Sequence, residues 1–390
     1  VARILVVYKE FPAPSVGHAG GRAVFLLLES LRRRGHQLYL VARLRREEAP
    51  LVAEMAPYCE QIVTTPHHQA LGGPRAWAWL RSYVLLRRAA ARALREIQPD
   101  WLHVELTQTA IFLLGLRRPL SSLRLLDVNW FMLEQRAAAA SGLRRLAERA
   151  AGWAMRWFEP WLYRRYDVIA AISEGDRQLL AAPCRPRPVL ILPLVPAQAL
   201  QADVAPAVEG GPNLLFVGAM YRTFNVQGVR WFLESVWPLV REQVPKARFF
   251  VVGYDPPPEI RAYHDGESVV VTGAVEDVAP WYRAATVFVS PLLVAGGLLQ
   301  KVIDALAAGV PVVATTVSNH GLGATAGEHL LLADSAADFA EAVVRLLNDP
   351  HERERLAQAG QQFVRGRYDL EEAVGRWEAL MRGCQTFGDL

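Results

Sequence analysis

The sequence predicts an α/β protein made of two tandem Rossmann-like, doubly wound domains facing a central cleft. Three observations carry that reading. Short apolar strand segments alternate with helical stretches through both halves of the 390 residues, the pattern of a parallel sheet covered by helices on both faces. A Pro/Ala/Gly-rich segment, 196–212, interrupts the alternation once and reads as a linker. The conspicuous glycine and proline loops all follow strands, where ligands bind in such sheets.

The first domain is read over 1–195. RILVVY (3–8) is a buried-type strand, GHAGGRAV a loop, FLLLESLRRRGH a helix that ends at Gly35, and QLYLVARL the next strand. IQPDWLHVEL, SLRLLDVNW and YDVIAAIS supply further strands between helical stretches. The second domain is read over 213–367, with strands in NLLFVGAM, ARFFVVGYD, SVVVTGAV, ATVFVSP and PVVATTV. The loops Gly17–Arg22, Gly218–Asn225, Gly253–Pro258, Gly273–Asp277 and Leu293–Leu299 are expected to converge on the cleft. Residues 368–390 close the chain with a helix.

The most informative stretch is 287–317, VFVSPLLVAGGLLQKVIDALAAGVPVVATTV: a strand, a glycine turn, a short helix and a second strand. The helix opens after Gly296-Gly297 and stops at Gly309. Lys301 and Asp304 lie three residues apart and share one helix face. A glycine loop running into a helix N-terminus offers unpaired N–H groups and a positive dipole end to an anion. Lys301 adds a full charge one turn in, and Asp304 can accept hydrogen bonds from hydroxyls. Phosphate and hydroxyls together suggest a nucleotide or a sugar phosphate. Of 43 basic residues only Lys9, Lys246 and Lys301 are lysine. Against that background Lys301 reads as a compact point charge placed where arginine's planar fork does not fit. The plain alternative is a solvated lysine on a helix face.

Hydrophobic residues make up 52% of the chain, ample for two cores, yet no apolar run reaches the roughly 18 residues that span a bilayer. The opening VARILVVYKE is a strand without a signal-peptide pattern. Cys59, Cys184 and Cys384 are odd in number and widely spaced, which argues against a disulfide framework or a structural zinc site. A cytoplasmic protein is expected, free or at the inner face of the membrane. Residues 1–200 carry about 28 basic and 16 acidic residues, and 201–390 about 15 and 23. Such asymmetry suggests different partners for the two halves: an anionic membrane or acceptor for the first, or no partner at all. Nucleic acid is set aside, because the basic half lacks the aromatic–basic stripe of a recognised module. Residues 137–166 read as one long, half-buried helix with snorkelling arginines. The alternative is an interfacial amphipathic helix and peripheral membrane association.

With these residues laid out, the chain resembles the GT-B-fold glycosyltransferases, in particular the group-one family of retaining, nucleotide-sugar-dependent enzymes. LLFVGAMYRTFNVQGVRWFLESVWP, VVVTGAVEDVAPWYRAATVFVSPL and VAGGLLQKVIDALAAGVPVVATTVSNHGL are similar to three of its donor-domain segments, in the same order. GGRAVFLLLESLRRRGHQL and YDVIAAISEGD resemble its N-terminal pattern, and DLEEAVGRWEALMR (369–382) its C-terminal helix that crosses back to the N-domain.

The resemblance implies a nucleotide-diphosphate sugar donor of UDP or GDP type. Backbone N–H groups of the Gly218–Ala219 turn would approach the diphosphate, with Arg222 and Lys301 neutralising it and Gly296, Gly297 and Leu298 beside it. Asp304 would bind the ribose hydroxyls, and the Val275–Val278 loop, with Asp277, the base edge. Gly20, Gly21 and Arg22 would face the donor phosphate or the acceptor, with Glu105 and Gln108 as further acceptor contacts. Catalytic roles would fall to Lys301, Arg222 and Asn129. The chain contains no DxD sequence, so transfer without a metal or other cofactor is expected. The acceptor stays open between a glycan, a lipid-linked sugar and a small aromatic molecule. The chain departs from the family at Asp304 (usually glutamate), Leu293 (arginine), Ala295 (glycine), Asn129 (often histidine) and PLVP, 193–196 (a PNG turn). The departures at Leu293, Asn129 and Asp304 motivate one alternative, a non-catalytic sugar-nucleotide- or partner-binding protein; a second is a same-fold enzyme such as a UDP-sugar 2-epimerase, for which His18, His103 and His320 are the nearest candidates.

Overall fold

The computed structural model describes residues 1–16, 19–194, 205–294 and 297–388. Contacts divide the chain into two compact units, Val1–Leu194 with Leu370–Leu390, and Val195–Asp369. Each is an α/β unit around one parallel sheet.

The first sheet holds β1 (Arg3–Tyr8), β2 (Gln37–Leu44), β3 (Gln61–Pro66), β4 (Trp101–Glu105), β5 (Leu120–Arg124), β6 (Val168–Ala171) and β7 (Val189–Ile191). Their order is β3-β2-β1-β4-β5-β6-β7, all parallel. The second holds β8 (Asn213–Val217), β9 (Arg248–Val252), β10 (Val269–Gly273), β11 (Val287–Ser290), β12 (Val312–Ala314) and β13 (Leu331–Leu332). It runs β10-β9-β8-β11-β12-β13, again parallel. Both are doubly wound sheets, as expected. In each, the winding direction reverses once, between β1 and β4 and between β8 and β11. The loops that leave the carboxyl ends of those paired strands diverge and leave a crevice for a ligand.

The central strands are the ones whose sequences are continuous apolar runs, as burial on both faces demands. In β1, for example, Ile4, Leu5, Val6 and Val7 are all fully buried. Strands β3, β7 and β13 escaped the sequence reading. They are short or polar and lie at or near sheet edges: QIVTTP in β3 has only Thr65 buried. The first helix also differs from expectation. It begins at Ala19, so Gly20, Gly21 and Arg22 form its first turn rather than a loop. The single helix expected over 137–166 is two, Asn129–Ala139 and Gly142–Tyr163. Where the second begins, Gly142 takes φ +59°, a left-handed conformation that glycine adopts without a Cβ penalty. Residues 196–204 of the expected linker lie outside the described residues.

Helix Leu370–Gly388 packs on the first unit. Arg34 donates to the Glu371 carbonyl (2.6 Å), and His36 Nε2 meets Glu378 Oε1 at 2.5 Å. Trp377 is fully buried edge-on against Trp101, ring centres 5.5 Å apart.

Candidate active site

The second unit places two cations, Lys301 and Arg222, at the switch point between β8 and β11. After β8 the chain turns at Gly218, and two hydrogen bonds tie that turn to the end of β9. Gly218 N–H donates to the Val252 carbonyl (2.9 Å) and Met220 N–H to that of Tyr254 (2.8 Å). The backbones approach so closely that a Cβ on Gly253 would lie 1.9 Å from the Gly218 carbonyl oxygen. Only some of the turn's amides are therefore open to a ligand: Gly218 and Met220 are taken, and Ala219 N–H is unpaired among the described residues. Helix Thr223–Trp231 starts here with Arg222 at its N-cap and no side-chain cap; Asn225 N–H returns to the Arg222 carbonyl (2.9 Å), and the Thr223 and Phe224 amides are left unpaired among the described residues.

Lys301 reaches this turn from helix Gln300–Ala307, which follows β11. Its Nζ donates to Asn225 Oδ1 (2.7 Å) and lies 4.1 Å from the centre of the Phe216 ring. It sits directly under Gly218, where a Cβ would come within 2.7 Å of Nζ. Asn225 is buried and its amide nitrogen donates to the Ala219 carbonyl (2.8 Å), so one asparagine holds both the turn and the lysine. Burial, and then the nearby Arg222 guanidinium, push the Lys301 ammonium down to about 7. Among the described residues no carboxylate forms an ion pair with Lys301 or with the exposed Arg222. Two neighbouring cations thus share a crevice with only a neutral amide and an aromatic face as partners. Such a site is under-compensated and favours an anion.

Asp304 lies one turn further on, half-buried, accepting from Gln300 Nε2 at 2.9 Å. Burial, with the Asp304 charge behind it, holds the Tyr282 hydroxyl well above its ordinary value, and that hydroxyl donates to the Lys301 carbonyl (3.2 Å). The loop after β11 is pinned from below by Thr315 Oγ1 donating to the Leu292 carbonyl (2.6 Å) and Ser290 Oγ donating to Ser318 Oγ (3.0 Å). Gly297 is left-handed at φ +70°, and Gly296 lies outside the described residues. Leu298 is buried in the core, so only its backbone is available to a ligand. Val275 and Asp277 follow the edge strand β10; Asp277 is exposed and accepts from Ala279 N–H (3.0 Å). Among the described residues no hydrogen bond or ion pair joins them to Lys301. Asn225, Thr315 and Ser318 were missed from sequence. An asparagine four residues before Val229, on the apolar side of helix Thr223–Trp231, was the available signal for the first.

In the first unit, the helices that begin at Ala19 and Thr107 follow β1 and β4 and so flank its switch point. Arg22 and Gln108 stand half-exposed in their first turns, Arg22 without a partner among the described residues. Asn129 opens helix Asn129–Ala139. Its Nδ2 donates to Glu159 Oε1 (2.5 Å) and reaches Thr107 Oγ1 (3.4 Å), which meets the Tyr163 hydroxyl at 2.8 Å. Burial raises the pKa of the Glu159 carboxyl.

Glu105 is corrected as an acceptor contact. It is fully buried, with one carboxylate oxygen 2.9 Å from both His103 Nε2 and Arg124 Nη2 and the other 3.1 Å from Arg124 Nε. Strand register places Glu105 opposite Arg124, itself 0% exposed. Burial alone would raise its pKa, but Arg124, then His103, hold it below the ordinary value. Stability from this pair is therefore present above the ordinary carboxylate range and is lost as pH falls toward the lowered value. Glu105→Gln would strand Arg124 uncompensated, with an expected loss of about 3–5 kcal/mol, read as a fall in the denaturant midpoint. His103 is equally buried; His320 is exposed and His18 lies outside the described residues. A surface groove lined by Leu94, Arg95, Pro99, Leu116 and Pro119 opens at the N-terminal ends of β4 and β5, the edge away from the switch point.

Known proteins match each half of the chain. A family model described as Glycosyltransferase Family 4 matches residues 20–194, and one described as Glycosyl transferases group 1 matches residues 211–349. The phosphatidyl-myo-inositol mannosyltransferase of Mycobacterium leprae (strain TN) is 31% identical over 192 residues, 47% of this chain and 50% of that protein. The chain thus matches about half the length of its curated relatives, or less. Among solved structures, sucrose-phosphate synthase from Thermosynechococcus elongatus superposes with a TM-score of 0.73 at 18% identity, covering 100% of both chains. Anabaena HepE in complex with UDP and glucose does so with a TM-score of 0.65 at 13% identity, again over 100% of both. At these identities the likeness concerns the fold. The two family models, on a fold of paired parallel-sheet units shared with GT-B glycosyltransferases, establish that this chain belongs to the group 1 glycosyltransferases.

Proposed function

We propose that the protein transfers a sugar from a nucleoside-diphosphate donor to an acceptor, with retention of anomeric configuration and without a metal. The observation that carries this reading is Lys301: a half-buried cation, fixed by a neutral asparagine beside Arg222, with no carboxylate paired to it among the described residues. A diphosphate supplies the missing charge. Lys301 and Arg222 would be aimed at the leaving diphosphate, where negative charge grows in the transition state; preorganised cations in a dry crevice act most strongly there. The Ala219 amide and the first turn of helix Thr223–Trp231 would add N–H donors. Asp304 would receive ribose hydroxyls and the Val275–Val278 loop the base edge. In the first unit, Arg22 and Gln108 would meet the acceptor. Asn129, oriented by Glu159, would hydrogen-bond near the transferred sugar as donor or acceptor, but it cannot titrate.

The direct test is incubation with a panel of UDP-, GDP-, ADP- and dTDP-sugars and candidate glycan, lipid-linked and aromatic acceptors, in EDTA. Product with the donor's anomeric configuration by NMR supports the proposal. An inverted product, or activity only when metal is restored, contradicts it.

A pH dependence follows from Lys301. Free, it loses its proton near pH 7, whereas a bound diphosphate favours the ammonium. Binding above pH 7 therefore takes up a proton, and affinity falls as pH rises, by at most about tenfold per unit. Calorimetry of UDP binding at pH 8, in two buffers of different ionisation enthalpy, reads that proton directly. It should be absent in Lys301→Met.

A further inference from the structure

Helix Gly142–Tyr163 turns an apolar stripe outward. Leu143, Leu146, Trp153, Trp157 and Trp161 are exposed by 85, 64, 69, 69 and 44%. At 100° per residue these five positions fall within about 80° of arc and run about 27 Å along the helix. The opposite side packs inward: Gly152 lies against Trp130, Leu133 and Glu134 of helix Asn129–Ala139, and Leu162 and Tyr163 join the core under the sheet. Helix Arg75–Ile97 also exposes apolar side chains at its start, Trp77 and Leu80 by 68 and 41% between Arg75 and Arg81.

The two helices cover the same face of the first sheet. One core contains Tyr83 and Leu86 from one helix and Leu162 and Tyr163 from the other. The short helix Thr107–Phe112 bridges them: Phe112 stacks on Tyr83 (4.3 Å), and Thr107 hydrogen-bonds Tyr163. Arginines flank the outward stripe. Arg145 and Arg149 have no ion-pair partner among the described residues, and Arg165 stacks on the Trp161 ring at 3.6 Å. No acidic residue falls within the stripe.

We propose that this face docks the protein on an anionic lipid surface, with Trp153, Trp157 and Trp161 at headgroup depth and the arginines on lipid phosphates. Tryptophan pairs an apolar body with a polar N–H and suits that boundary. A flat, 22-residue helix with an apolar stripe between cations is the form that lies in an interface. Among the described residues no helix is long and apolar enough to cross a membrane, so contact would be peripheral. The proposal stands apart from the donor site and does not depend on its chemistry.

The test is cosedimentation of the full chain with vesicles of phosphatidylglycerol and phosphatidylcholine, against vesicles of phosphatidylcholine alone. The expected result is strong binding to the anionic vesicles, little to the neutral ones, weakening with salt, and a blue shift of tryptophan emission. Trp153→Ser with Trp157→Ser should lower the partition coefficient about tenfold or more. Arg145→Gln with Arg149→Gln should lower it about tenfold. Both should leave the melting temperature unchanged. Failure to bind anionic vesicles, or equal binding by the tryptophan variant, overturns the proposal. So does a wild-type dimer that the tryptophan variant loses while vesicles bind neither, since that assigns the stripe to a second copy of the chain.

Discussion

Lys301→Met is expected to remove nucleoside-diphosphate binding and to cut turnover about 10²–10³-fold, while the protein melts at the same temperature or higher. The two effects have opposite signs for one reason. A cation held out of water beside a second cation, with only an amide as partner, is a cost to the ligand-free fold. The folded ammonium titrates near 7 and the ordinary one near 10.5. Over that window the unfolded chain holds more protons, so the ligand-free protein gains stability as pH rises through it. Lys301→Met should flatten that rise. A structural lysine would behave otherwise: its loss would lower the melting temperature and spare binding. Thermal melts at pH 6 and pH 9, beside steady-state kinetics, separate the cases.

Gly253→Ala should be the most damaging single-methyl change in the second unit. The new Cβ would lie 1.9 Å from the Gly218 carbonyl oxygen and 2.7 Å from its carbon. Neither strand end can yield, because Gly218 N–H is bonded to Val252 and Gly253 N–H to the Gly273 carbonyl. A loss of about 3 kcal/mol or more is expected, a fall of roughly 6–12 °C for a unit of this size. Gly266→Ala is the control. It is left-handed, at φ +78°, but a Cβ there meets nothing within 4 Å, so only the conformational penalty of about 1 kcal/mol remains. Differential scanning calorimetry of both variants distinguishes contact from backbone strain. Equal effects would show that the Gly218–Gly253 approach relaxes.

The sheets were legible because buried parallel strands write themselves as apolar runs, as in RILVVY and NLLFVGAM. Edge strands do not, which is why β3 passed unnoticed until its pairing with β2 was in hand. Lys301, Arg222 and the Gly218 turn could be grouped in advance because each follows directly on a strand end at one switch point. Asn225 could not, since its importance lies in two hydrogen bonds across 6 and 76 residues of chain. Glu105 misled because a strand-end carboxylate in sequence looks the same whether it faces a ligand or a buried arginine on the next strand. Composition likewise could not say which side of helix Gly142–Tyr163 carries the tryptophans into solvent. That depends on which residues the sheet buries.

The central claim is that Lys301 and Arg222 form a diphosphate site. Calorimetric titration of the wild type, Lys301→Met and Arg222→Ala with UDP, GDP, ADP and dTDP, in EDTA at pH 7, tests it most directly. The account predicts saturable binding of one nucleotide by the wild type, at least about tenfold weaker in Arg222→Ala and absent in Lys301→Met. Binding of equal strength in all three proteins, or none by a folded wild type, would contradict it.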